Sequence, residues 1–207
     1  MQITKIEPQK QDPSRRSVYV DGAYSFSLDA ESFLKSGLCV GMEIDEAAIS
    51  ELTLAAEYAG CKTYAFRLLA RRSYAIGELR RKMAAKGFGE EACDRTVALL
   101  CELGYLDDEK YARMYVSDAV NLSRKGKRLI AYELSQKGIR REIVEEALSE
   151  LDESSALEEL VAKKVASEPE LDRRAVNRIV SFCARKGYEY SDISEALRKY
   201  MGEYADE

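Results

Sequence analysis

Lysine followed by glycine and an apolar residue occurs three times at nearly even spacing: Lys86-Gly87-Phe88, Lys137-Gly138-Ile139 and Lys186-Gly187-Tyr188, with intervals of 51 and 49 residues. A recurrence at that period constrains the fold more than any other feature, because it points to tandem supersecondary units, each too small to bury its apolar face alone. Aligned on the glycine, the flanks agree. Seven residues before the lysine stand Leu79, Ile130 and Ile179, and three before it Met83, Leu134 and Cys183. Beyond the apolar residue come Cys93, Val144 and Ile193, then Val97, Leu148 and Leu197. Steps of three and four put these positions on one helical face on each side of the glycine.

The glycine has a mechanical reason. A helix often ends on a left-handed residue, and only glycine takes that conformation without a Cβ clash. In such an ending the next residue packs back on the last turn, pairing Phe88 with Met83, Ile139 with Leu134 and Tyr188 with Cys183. The lysine sits where the helix dipole favours a cation. Gly87, Gly138 and Gly187 are therefore expected to be structural helix stops.

Each unit also has room for an earlier helix: Lys62–Arg72, Asp108–Leu122 and Ala156–Ser167, the last ended before Pro169. Asp45, Asp107 and Asp172 are expected N-caps. The N-terminal stretch has a different period. Val18, Val20, Asp21-Gly22, Tyr24, Phe26 and Leu28 read as a hairpin with a tight Asp-Gly turn. A short helix over 29–35 and strand-like segments at 38–40 and 42–44 follow. The expected fold is mainly α: three tandem three-helix units in an elongated or curved array, preceded by a small β-rich N-terminal cap. The segments are 1–60 for the N-terminal β-hairpin/α extension, 61–106 for unit 1, 107–153 for unit 2 and 154–207 for unit 3.

Composition narrows the function. The chain has no histidine, the usual general base and the commonest metal ligand. Its five cysteines form no C-x-x-C pair and read as small apolar core residues. No Walker loop, dinucleotide fingerprint or metal-ligand spacing is present. The expectation is a protein that is not an enzyme and uses no cofactor and no metal. No stretch is long and apolar enough for a bilayer, and the N-terminus lacks a signal peptide's apolar region, so a cytoplasmic protein is expected. Net charge is −5, yet residues 61–105 carry nine basic and five acidic side chains. A locally basic strip inside an acidic whole can touch phosphates while the bulk avoids random nucleic-acid binding.

Several segments resemble the RecX family of RecA regulators. They are Ala65-Phe66-Arg67-Leu68-Leu69-Ala70-Arg71-Arg72, Glu78-Leu79-Arg80-Arg81-Lys82-Met83-Ala84-Ala85-Lys86-Gly87-Phe88, Leu103-Gly104-Tyr105-Leu106-Asp107-Asp108-Glu109-Lys110-Tyr111-Ala112, and Lys125-Gly126-Lys127-Arg128-Leu129-Ile130 running on to Lys137-Gly138-Ile139. Order and spacing resemble the family over about residues 61–200, most specifically in units 1 and 2. Two departures stand out. The family commonly has serine three residues before Glu78, where this chain has Ala75, so the capping box is incomplete. Residues 1–60 lie outside the shared core, as an extension that some family members carry. The resemblance implies a regulator that binds the RecA filament on single-stranded DNA, suppresses strand exchange, ATP hydrolysis and co-protease activity, and binds bare DNA weakly or not at all. A monomer with no membrane association is expected.

Two basic clusters are candidate contacts with the recombinase or its DNA: Arg124, Lys125, Lys127 and Arg128 around Gly126, and Arg67, Arg71, Arg72, Arg80, Arg81 and Lys82. Their bland alternatives are a solvated basic turn and helix pairing with Glu78. Tyr105, Tyr111 and Tyr115 read as core or half-buried residues. The rival functions are a stand-alone nucleic-acid-binding module and a helical protein–protein scaffold.

Overall fold

The computed structural model describes residues 1–10 and 12–201, so the last positions assigned to unit 3, 202–207, lie outside the described residues. The chain runs β1 (Ile3–Pro8), β2 (Arg15–Val20), β3 (Ala23–Asp29), α1 (Ala30–Ser36), α2 (Glu46–Leu69), α3 (Ile76–Ala85), α4 (Glu90–Glu102), α5 (Asp108–Asn121), α6 (Lys127–Gln136), α7 (Arg141–Ser149), α8 (Ser154–Val165), α9 (Arg173–Arg185) and α10 (Tyr190–Met201). It divides into two compact units. One holds Met1–Tyr74 and Leu79–Leu106; the other holds Ala75–Glu78 and the chain from Asp107 onward.

In the first unit the three strands form an antiparallel sheet in the order β1-β2-β3. The β2–β3 turn has positive φ at both Asp21 (48°) and Gly22 (85°), the twist a two-residue hairpin needs. Ile3, Val18, Val20, Phe26 and Leu28 turn one sheet face into a core closed by Leu38, Ile44 and Ala56. Asp29 caps α1 through the Ser32 amide.

Two expectations are corrected here. Residues 38–44 form no strand: Gly41 (φ 92°) turns the chain, and only Gln2 and Glu43 bridge. The apolar residues still point inward, because Ile3 N–H donates to Met42 O and Ile44 N–H to Met1 O. The helix from Asp45 and the helix expected at 62–72 are one continuous α2. Gly60 does not break it; the Phe88 ring lies where a Cβ at Gly60 would approach to 3.4 Å.

In the second unit α5, α6 and α7 enclose Ala112, Val116, Ala119, Ile130, Leu134 and Val144, with Ala75 in the same core. Helices α8, α9 and α10 enclose Leu157, Val161, Ile179, Cys183, Ile193 and Leu197. Each fully buried aliphatic side chain stabilises by about 1.5–3 kcal/mol. Cys61, Cys93 and Cys183 are buried as small core residues, whereas Cys39 and Cys101 are exposed.

Helices α3, α6 and α9 end alike. Gly87, Gly138 and Gly187 have φ of 100°, 88° and 95°. Phe88, Ile139 and Tyr188 N–H donate to the carbonyls of Met83, Leu134 and Cys183, and the glycine amides to Ala84, Ser135 and Ala184. This is the Schellman pattern. In the second unit, two of these ends meet the start of the corresponding earlier helix. A Cβ on Gly77 would lie 2.8 Å from Lys137 O, and one on Gly126 would lie 2.6 Å from the Gly187 carbonyl. The Gly126 and Arg128 amides donate to Lys186 O and Gly187 O. The free N–H groups at the start of α6 thus meet the free carbonyls at the end of α9, a positive helix end against a negative one.

Candidate functional site

The basic turn between α5 and α6 is largely committed to the protein's own carboxylates. Arg124 takes a left-handed backbone (φ 49°) and its guanidinium reaches Glu159 at 2.8 Å. Lys125 lies 2.6 Å from Glu133, a pair about three-quarters buried, and 5.9 Å from the centre of the Tyr115 ring. Tyr115 donates its hydroxyl to the same carboxylate at 2.7 Å. Burial alone would raise the Glu133 carboxyl, but Lys125 and Tyr115 overcome it and hold the pKa below its ordinary value. Arg128 makes a looser, exposed 3.4 Å contact with Glu189. The amides around Gly126 do not await an anion, because the end of α9 and the Glu153 carboxylate accept from them. Of this cluster, Lys127 alone has no side-chain ion pair among the described residues.

The second cluster is sorted by α3. Arg80 turns toward α4, 2.6 Å from Asp94 and 2.9 Å from Glu90, and these hydrogen bonds raise its pKa further. The 100° step of an ideal helix carries Arg81 and Lys82 away from it. Both are exposed, as are Arg67, Arg71 and Arg72. The structure brings Arg72 and Lys82 together on Tyr74. This ring is 7% exposed, with the Arg72 guanidinium 3.7 Å and the Lys82 ammonium 5.9 Å from its centre. A cation over an aromatic face is held at a defined place, and the Arg72 guanidinium also donates to the Ser73 carbonyl at 3.0 Å. Tyr74 was missed in the sequence. Its one signal was an aromatic two residues after an arginine pair, too common a pattern to single out.

The aspartates at the start of α5 divide their work. Asp107 accepts from the Lys110 amide as an N-cap. Asp108 instead accepts from the Ile76 amide at 2.9 Å, supplying the start of α3 with the acceptor that Ala75 cannot offer. Burial raises the Asp108 carboxyl above its usual range. Tyr111 and Tyr115 stack at 6.1 Å and sit half-buried under Lys137, whereas Tyr105 is exposed. A groove of about 910 Å³ between α5 and α7 is lined by Glu109, Glu142, Glu146, Glu150 and Asp152 against Arg113 and Arg140, an acidic balance that disfavours phosphate there.

Comparisons with known proteins agree with this arrangement of a sheet-bearing segment and helical triplets. Family models match in four consecutive stretches: the regulatory protein RecX N-terminal domain over residues 1–45, and the first, second and third three-helix domains of RecX over 61–100, 107–148 and 152–197. The first stretch places in the family a segment that the sequence reading set outside the shared core. The chain is 36% identical over 203 residues to a regulatory protein RecX of Clostridium perfringens strain 13, covering 95% of each chain. It is 32% identical over 201 residues to that of Caldanaerobacter subterraneus, covering 95% of this chain and 98% of the other. A crystal structure of regulatory protein RecX superposes with a TM-score of 0.64 at 26% identity, over 94% of this chain and 98% of that one. No helix among the described residues is long and apolar enough to cross a membrane. With all four parts matched in order, and relatives aligned from end to end, this chain belongs to the RecX family of regulatory proteins.

Proposed function

We propose that this protein binds the filament that RecA forms on single-stranded DNA and inhibits or tunes its recombinase, ATPase and co-protease activities, without catalysing a reaction itself. Family membership supports RecA as the partner. The observation that supports contact with a nucleoprotein surface is the pair of cations held on Tyr74, Arg72 and Lys82, beside the exposed Arg67, Arg71 and Arg81. The acidic total, −5, disfavours binding to bare DNA as the main activity. A protein that binds one conformation of the filament more tightly than another shifts its activity by that difference in affinity.

The test is RecA ATPase on single-stranded DNA with substoichiometric protein added. The proposal expects turnover to fall and filament lifetime to change, with the effect weakened in Arg72→Ala/Lys82→Ala. Unchanged turnover and lifetime at every ratio would refute it. Salt-sensitive micromolar binding to bare DNA, with no effect on RecA, would favour a stand-alone nucleic-acid module instead.

A further inference from the structure

Helix α9 carries arginines at positions 174, 178 and 185, and its opposite face is fixed in the core by Ala175, Ile179 and Cys183. Four residues advance about 6 Å along a helix and seven about 10.5 Å, so these cations form a line and not a knot. The line runs beside a groove of about 570 Å³ between α8 and α9. Lys164 of α8 faces into the same groove, its ammonium 4.2 Å from the centre of the Phe182 ring. The one carboxylate on the groove, Glu168, is taken by Arg178 at 2.5 Å. Lys164, Arg174 and Arg185 have no acidic partner among the described residues. Five carboxylates of the same helical triplet, Glu153, Glu158, Glu189, Asp192 and Glu195, line a separate groove, whereas Asp172, the N-cap of α9, acts on Arg178.

We infer that the α8–α9 groove is a binding site for single-stranded nucleic acid, with the sugar-phosphate backbone along Lys164, Arg174 and Arg185 and a base against Phe182. Spaced cations with an aromatic platform suit a flexible single strand, since phosphates recur along it and every base presents a flat face. A rigid duplex would present its phosphates on a fixed curve and no free base for the ring. An acidic protein segment would satisfy the cations but offers no flat face to take the place of the Lys164 ammonium on the Phe182 ring. The inference deepens the filament reading and rests on it for its setting, by adding a contact on the third helical triplet to those on the first. Its test needs no recombinase, so the two can fail separately.

The test is a titration of the isotope-labelled full chain with a dT12 oligonucleotide at low salt, following backbone amide resonances. Shifts concentrated at Lys164 and over 174–185 are expected. In binding assays at several salt concentrations, Lys164→Gln/Arg174→Gln/Arg185→Gln should weaken the affinity at least tenfold. It should also flatten the salt slope by about 2, since a single-strand phosphate contact contributes about 0.7. A control with the same charge change placed elsewhere, Lys5→Gln/Lys35→Gln/Lys110→Gln, should bind like the parent. The inference is overturned if the control loses as much as the triple variant. It is also overturned if the shifts fall elsewhere or never appear, or if polyglutamate gives the same shifts at the same concentrations.

Discussion

Replacing Gly187 by alanine tests the contact between the start of α6 and the end of α9, and neighbouring glycines separate its two costs. Gly187 has φ 95°, and its Cβ would lie 2.4 Å from Leu129 N and 2.5 Å from Leu129 Cβ. Gly138 has a similar φ, 88°, but its Cβ would come no closer than 3.2 Å, to Gly77 Cα. Gly126 has an ordinary negative φ, yet its Cβ would lie 2.6 Å from the Gly187 carbonyl. A non-glycine residue in left-handed space costs about 1–2 kcal/mol. An added carbon in a packed site costs about 1–3 kcal/mol more. Gly138→Ala should therefore lose about 1–2 kcal/mol, Gly126→Ala about 1–3, and Gly187→Ala about 2–5. For a chain of this size, 1 kcal/mol moves the melting temperature by about 2–4 °C. Thermal unfolding gives the ranking. Hydrogen exchange locates it, because Gly187→Ala should expose the Gly126 and Arg128 amides that donate into the end of α9. If Gly187→Ala melts no lower than Gly138→Ala, or those two amides stay protected, the helix-end contact is not a tight backbone approach and the reasoning fails.

Three further outcomes follow from single side chains. Asp108→Ala removes the acceptor for the Ile76 amide and should cost about 0.5–2 kcal/mol, read as faster exchange at Ile76. The folded-state pKa of Glu133 lies below its unfolded value, so its contribution is present above that unfolded value and is lost as pH falls through the folded one; Glu133→Gln should flatten the acid limb of a stability–pH curve. Tyr188 is buried, its hydroxyl has no partner among the described residues, and burial pushes its pKa up to about 12. Tyr188→Phe should raise the melting temperature, by the equivalent of about 1 kcal/mol, and a fall would mean the hydroxyl is satisfied in solution.

Local chemistry was legible in the sequence. A glycine forced to positive φ and an aspartate at a helix start both act within six residues, so the ends of α3, α6 and α9 and the caps at Asp45, Asp107 and Asp172 could be placed. What was not legible depended on distance. Lys125, Arg124 and Arg128 look like one basic patch along the chain, yet Glu133, Glu159 and Glu189 return from 8, 35 and 61 residues away to occupy them. The acceptor at the start of α3 comes from Asp108, 32 residues on. The joined α2 was not legible because the helix from Asp45 and the helix over 62–72 were assigned to separate segments, and Gly60 between them stays helical with the Phe88 ring packed on it. The α8–α9 groove was half legible. Arginines at 174, 178 and 185 share a helical face, but only folding brings Lys164 and Phe182 to it.

The most direct test of the account is an electron cryomicroscopy image of this protein on a RecA filament formed on single-stranded DNA. Continuous density is expected against the filament, with the α8–α9 groove turned toward the nucleoprotein and the acidic α7 side turned away. Bare filaments at saturating protein, or density that presents α7 to the DNA, would contradict it.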